Sequence, residues 1–91
     1  MEEEQFPVYV SKRPGVDDFL KKCSSLFEVV IFTASVSEYA NPLIDLLDSE
    51  HFVTHRLFRE HCIEKSNGYV KDLNILNRDL SSVIIVDVRF K

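Results

Sequence analysis

Apolar residues recur along the chain with two different periods, and the switches between them mark out the elements. Phe6 to Ser11 (FPVYVS) is β-branched and aromatic and is followed by Pro14-Gly15, which predicts a strand and then a turn. From Val16 to Phe27 the period changes. Val16, Phe19, Leu20, Cys23 and Phe27 fall at i, i+3, i+4, i+7 and i+11, the stripe of an amphipathic helix. Asp17 and Asp18 in its first turn, with Lys21 and Lys22 after them, suit the helix dipole. Glu28 to Thr33 (EVVIFT) is a short, nearly continuous apolar run of the kind a parallel strand shows when covered on both faces. Its carboxyl end places Thr33, Ala34 and Ser35 in a loop. A second helix is expected from about Ser37 to Leu47, with Val36, Tyr39, Ala40, Leu43, Leu46 and Leu47 on one side. Ser37 and Asn41 compete as its N-cap, and Pro42 is tolerable only in a first turn.

Residues 49 to 67 are mixed in pattern, with a short strand expected at Arg56 to Phe58 and a turn at Asn67-Gly68. Tyr69-Val70 leads into Lys71 and Asp72, Leu73 to Leu80 reads as a short helix, and Val83 to Asp87 (VIIVD) is a second apolar strand ending in an acid. There is no internal repeat and no low-complexity linker. The order β, α, β, α, short β, α, β predicts an α/β fold, in which ligands bind beyond the carboxyl ends of parallel strands. Thr33 and Asp87 both occupy such ends. A hydroxyl and a carboxylate at one rim, joined by Lys71 just before a helix start, make a plausible polar site.

Composition narrows this picture. Ninety-one residues with 45% hydrophobic and 29% charged positions fit one small globular domain over 1–91. Such a chain buries only about 60–65% of its unfolded surface, so no element is spare. A net charge of −4 disfavours direct binding of nucleic acid, which requires neutralisation of phosphates. The longest apolar runs, Val29 to Phe32 and Val83 to Val86, fall far below the roughly 20 residues of a membrane-spanning helix. The acidic opening Met1-Glu2-Glu3-Glu4-Gln5 has neither the basic nor the apolar part of a secretory signal, so a nuclear or cytoplasmic location is expected. Cys23 and Cys62 form no CxxC and read as small buried side chains. His51 and His55 have the HxxxH spacing of zinc ligands on a helix, with His61-Cys62 nearby, but Phe52-Val53 and Leu57-Phe58 read as strand and loop.

Seven words in collinear order carry a resemblance. Val8-Tyr9-Val10 with Lys12-Arg13-Pro14, Phe27 to Ser35 (FEVVIFTAS), Tyr39-Ala40-Asn41-Pro42, Leu46-Leu47-Asp48, Arg56 to Cys62 (RLFREHC), Gly68 to Leu73 (GYVKDL) and Val83 to Asp87 (VIIVD) resemble the small phosphatases of the RNA polymerase II C-terminal domain. These are the NLI-interacting-factor-like branch of the haloacid dehalogenase superfamily. The resemblance implies a haloacid dehalogenase-like parallel sheet flanked by helices. It also implies a magnesium-dependent serine/threonine phosphatase that works through an aspartyl-phosphate, with a phosphoprotein such as the RNA polymerase II tail as partner. Thr33 then binds a phosphate oxygen, Lys71 neutralises the phosphate, Asp87 belongs to the magnesium-side acidic motif, and Tyr39 and Arg59 contact the peptide or its phosphate.

The departures bear on the same chemistry. The family's nucleophile motif, Asp-x-Asp-x-Thr or Val, precedes the strand that begins here near Phe6, and the aspartates at 17, 18, 45, 48, 72, 79 and 87 include no Asp-x-Asp pair. The central strand that carries the motif is therefore expected to be missing from a partial domain. The acid after the last strand is normally followed by Asn, a magnesium ligand, then Ser-Pro; here Asp87 is followed by Val88, whose aliphatic side chain offers no oxygen to a hard cation. Two functional classes follow: a phosphatase domain by descent that is itself inactive and binds magnesium poorly, or a non-catalytic module that binds a phosphopeptide or a partner.

Overall fold

The structure is a computed structural model that describes residues 12–87. The chain turns at Gly15, whose φ of 84° is the left-handed conformation that glycine adopts without steric cost, and enters helix α1 (Val16–Leu26). Of the expected apolar stripe only Leu20 is buried; Phe19 and Phe27 remain 48% and 49% exposed. Strand β1 (Val30–Phe32) follows, then α2 (Ser37–Leu47) and β2 (His55–Leu57). The two strands are parallel, in the register Val30 to His55, Ile31 to Arg56 and Phe32 to Leu57. Two further amide bonds lengthen the ladder: Thr54 N–H donates to the Val29 carbonyl at 2.8 Å, and Thr33 N–H to the Leu57 carbonyl at 2.9 Å.

Helix α2 is the crossover between these strands, and its buried face makes the core. Ala40 and Ile44 pack with Phe58 and with the half-buried Ile31 of β1. The face differs from the expected one. Ala40, Leu43, Ile44 and Leu47 are buried or partly so, whereas Val36, Tyr39 and Leu46 are exposed, because Phe58 and Ile31 of β1 pack against the adjacent stripe that holds Ala40 and Ile44. Neither Ser37 nor Asn41 is the N-cap. Val36 takes that place without a side-chain cap, so Pro42 lies inside the helix. Asn41 is engaged elsewhere: its Oδ1 accepts from Arg56 Nη1 at 2.6 Å, and Arg56 Nη2 lies 2.9 Å from Asp45. That guanidinium fastens β2 to α2.

The end of α2 is set by Asp48, only 2% exposed, whose two carboxylate oxygens accept the amide protons of Phe52 and Val53 at 2.7 and 2.9 Å. This carboxylate turns the chain from α2 toward β2, with His51 between in the left-handed region at φ 60°. Hydrogen bonds to a charged acceptor contribute about 1.5–3 kcal/mol each, and the amides left behind would be partly buried. Asp48→Ala is therefore expected to lower stability by about 3 kcal/mol, read as a shift of the urea midpoint. A change under about 0.5 kcal/mol would show that water replaces the carboxylate without loss.

Beyond β2 the layout departs from expectation. A 3-10 turn (Arg59–His61) leads into an antiparallel hairpin of β3 (Ile63–Lys65) and β4 (Gly68–Val70), joined through Ser66-Asn67. The turn at Asn67-Gly68 was legible in the sequence, but β3 was not. The expected helix from Leu73 to Leu80 is instead two 3-10 turns, Leu73–Leu76 and Leu80–Ser82. Asp72 and Asp79 accept the amides of Asn74 and Ser81 and so cap short turns, and Asn77 at φ 58° breaks the run between them. Arg78 in that break grips Glu28 through two 3.0 Å bonds, which hold the Glu28 carboxyl below its ordinary range.

The apolar run Val83 to Asp87 is not a strand. Ile84, Ile85 and Val86 are 69%, 62% and 78% exposed, and among the described residues no strand lies beside them to complete a ladder. Nor does this run pair with β1, whose partner among the described residues is β2. The α/β character holds, as a short parallel pair with helices, and the Cα radius of gyration of 14.8 Å exceeds the roughly 12 Å of a compact chain of this length. The expected strand at Phe6 to Ser11 lies outside the described residues, as does Val88. Among the described residues no helix is long and apolar enough to cross a membrane.

Candidate functional site

The loop after β1 is where the residues singled out by sequence begin to meet. Thr33 is at the carboxyl end of β1, and its Oγ1 accepts the Ser35 amide proton at 3.1 Å, which closes a tight turn and leaves the hydroxyl proton to be donated outward. Arg59 approaches this loop from the far side of β2. Its amide donates to the Ser35 carbonyl at 3.0 Å and its Nε to the Ala34 carbonyl at 2.7 Å. The guanidinium also lies 4.9 Å from the centroid of the Tyr69 ring, a cation–π contact. Arg59 therefore does not pair with its neighbour Glu60; it ties the β1 loop to the hairpin.

Tyr69 stands on β4, and two residues later Lys71 Nζ lies 3.3 Å from Asp87 Oδ2. Sixteen residues separate that pair in sequence, and both side chains are about one-third exposed, at 35% and 36%. Contacts thus join the Thr33 loop to Tyr69 through Arg59, and separately Lys71 to Asp87, the two groups being connected along the chain from β4 to Lys71. Tyr39 stays 62% exposed on α2, so it is not a core residue, and no described contact brings it into either group. Tyr69 was not singled out from sequence. The available signal was its i, i+2 relation to Lys71 in GYVKDL, which sets both on one side of an extended segment.

The arrangement has anion-binding elements: an outward hydroxyl, an ammonium with donors to spare beyond Asp87, and a fixed guanidinium. It is poor in cation ligands. Magnesium requires near-octahedral oxygen coordination, and among the described residues no cluster of three His, Cys, Asp or Glu side chains is placed to hold a metal ion. Asp87 alone, with the Lys71 ammonium against one of its oxygens, does not fit that need. Nor does HxxxH form a zinc face, because residues 51–54 are not helical and His55 Nε2 lies 3.4 Å from Glu28. A cleft between α1 and the end of α2, bordered by Asp17, Lys21, Asp48 and Glu50, is separate from this network.

Comparison with known proteins places the chain as a whole. The family model described as NLI interacting factor-like phosphatase matches residues 1–90. Phosphatase PSR1 of Saccharomyces cerevisiae is 49% identical over 87 residues, which cover 96% of this chain and 20% of that protein. The human CTD small phosphatase-like protein is 56% identical over 80 residues, 88% of this chain and 29% of its own length. The human carboxy-terminal domain RNA polymerase II polypeptide A small phosphatase 1 is 54% identical over 80 residues, 88% of this chain and 31% of its own. The chain spans less than a third of these relatives.

Proposed function

The chain belongs to the NLI interacting factor-like phosphatases, and from that premise we propose that it is part of a haloacid dehalogenase-like protein serine/threonine phosphatase domain by descent. In this reading the 91 residues keep a phosphate-binding rim and lack the means of hydrolysis. Thr33 donates its hydroxyl proton to a phosphate oxygen and Lys71 neutralises the anion. Arg59 and Tyr39 contact the peptide, and Asp87 is what remains of a magnesium-side acid. The ligand is a phosphoserine or phosphothreonine protein, of which an RNA polymerase II tail is the example that the relatives' names suggest.

The observation that carries the reading is the 3.3 Å approach of Lys71 to Asp87, sixteen residues apart in sequence, the one expected at the phosphate and the other on the magnesium side of the same site. Magnesium is not part of the binding step. The donor set around Asp87 is too small, and Val88 supplies no oxygen, so any affinity for the ion is weak. The network around Arg59 favours retained peptide binding over a merely vestigial rim, because its guanidinium is held on two sides and keeps donors for an anion.

A fluorescent phosphoserine peptide titrated with the chain, without metal, tests this. Binding is expected to be weak and phosphate-dependent, with at least a roughly fivefold preference over the unphosphorylated peptide, the scale of one charge-assisted hydrogen bond. Lys71→Ala should abolish the preference. Equal binding of the two peptides, or an unchanged preference in the Lys71 variant, would remove the phosphate from the proposal.

A further inference from the structure

The turn that carries Arg59 is closed by a histidine in one protonation state only. Phe58 N–H donates to His61 Nδ1 at 2.9 Å, so that nitrogen holds no proton in this arrangement and the ring is neutral. The same turn is closed in the other direction by His61 N–H donating to the Phe58 carbonyl at 2.8 Å, with the Cys62 thiol 3.8 Å from that carbonyl. Phe58 is itself a core residue, 8% exposed, packed with Ala40 and Ile44. Between the two ends of this closure stand Arg59 and Glu60, and the Arg59 side chain reaches Ala34 and Tyr69.

We propose that His61 is a protonation-sensitive latch that positions Arg59. Neutral His61 accepts the Phe58 amide proton and fixes the turn. Protonated on Nδ1 as well as Nε2, the imidazolium is a donor at both nitrogens and confronts the Phe58 N–H with another N–H. The hydrogen bond is lost, the turn relaxes, and Arg59 loses the rigid base from which it spans the β1 loop and the hairpin. No outside molecule is required, because the proton comes from solvent to a half-buried ring.

Charged groups stand on the latch's own turn and on the elements packed against Phe58. On the same turn, Arg59 is directed to Ala34 and Tyr69, and Glu60 is exposed. After it come Cys62, then Glu64 and Lys65 on β3, both exposed. From the elements packed against Phe58, β2 contributes Arg56 and His55, held by Asp45 and Glu28, and α2 carries Glu38 and Asp45. Among the described residues no carboxylate forms an ion pair with His61, so none stabilises the imidazolium in place.

The latch is independent of what the Arg59 network binds, so it is tested without ligand. Hydrogen exchange of the Phe58 amide, corrected for intrinsic pH dependence, is followed in the dilute full chain at pH 8 and pH 5, alongside the Tyr69 ring resonances. Wild type is expected to lose protection at Phe58 about fivefold at the lower pH, with a matching Tyr69 shift, as one hydrogen bond is removed. His61→Asn places an acceptor oxygen near the position of Nδ1 and does not titrate, so its Phe58 protection should hold at both pH values. His61→Ala should be unprotected at both. If the alanine variant unfolds, the comparison of wild type with asparagine still decides. Equal protection of wild type at pH 8 and pH 5, or the same pH dependence in His61→Asn, would overturn the proposal.

Discussion

No release of phosphate above a Lys71→Ala control is the expected result when the 91-residue chain is incubated with magnesium and p-nitrophenyl phosphate or a phosphoserine peptide. The sequence holds no Asp-x-Asp pair, and six of its seven aspartates, all but Asp18, are engaged elsewhere in the structure. Asp17 faces Lys12, Asp45 pairs with Arg56, Asp48 is buried under two amides, Asp72 and Asp79 cap turns, and Asp87 meets Lys71. None of the six is shown beside Thr33 as a free carboxylate aimed at a phosphorus. Removing the nucleophile from a covalent enzyme costs about a millionfold in rate, which takes turnover below detection. Val88→Asn alone should not restore activity, because it returns a ligand and not the attacking group. Turnover above the control, in either chain, would mean that an acid not recognised here performs the attack.

How far this could be read in advance depends on the range of the forces involved. Helix α2 was legible in its approximate span, although neither Ser37 nor Asn41 proved to be its N-cap, and its buried face was not legible. Ile44 went unnamed while Tyr39 and Leu46 were placed inward, since the choice between adjacent stripes is made by β1 and Phe58 rather than by the helix. Val83 to Val86 has the composition of a strand and is none, because a strand exists only by pairing, and composition says nothing of whether a neighbour is present. The run from Leu73 to Leu80 failed differently: Asp72 and Asp79 offered their side chains to nearby amides, and these local bonds outcompeted a continuous helix. At the candidate site, Thr33 was singled out from a strand end that exists, that of β1, Asp87 from one that does not, and Lys71 from the residues before an expected helix and from family words. Tyr69 and the Ala34 carbonyl were not, because their part is to hold Arg59, and that contact spans 25 residues to the carbonyl.

The same unpaired run leads to the second large effect, reversible self-association of the chain. Ile84 and Val86 face one side of the extended segment and Ile85 the other, so both faces present apolar surface, while β1 is paired on one edge only among the described residues. Burying a Val or Ile side chain contributes about 1.5–3 kcal/mol, so three from each of two copies amount to roughly 9–18 kcal/mol. Association costs about 4–15 kcal/mol in lost freedom, and the surplus leaves weak, concentration-dependent contacts. Sedimentation velocity over a hundredfold range of concentration should therefore show the mean mass rising above one chain. Ile85→Lys removes one of the three and sets a charge on the open edge, a device that resists strand-to-strand contact. In that variant the rise should move to about tenfold higher concentration or vanish, with the melting of the monomer little changed because residue 85 is exposed. A chain that stays monomeric throughout, or an association indifferent to the lysine, would show that this run is covered in solution and that the two short sheets suffice as they stand.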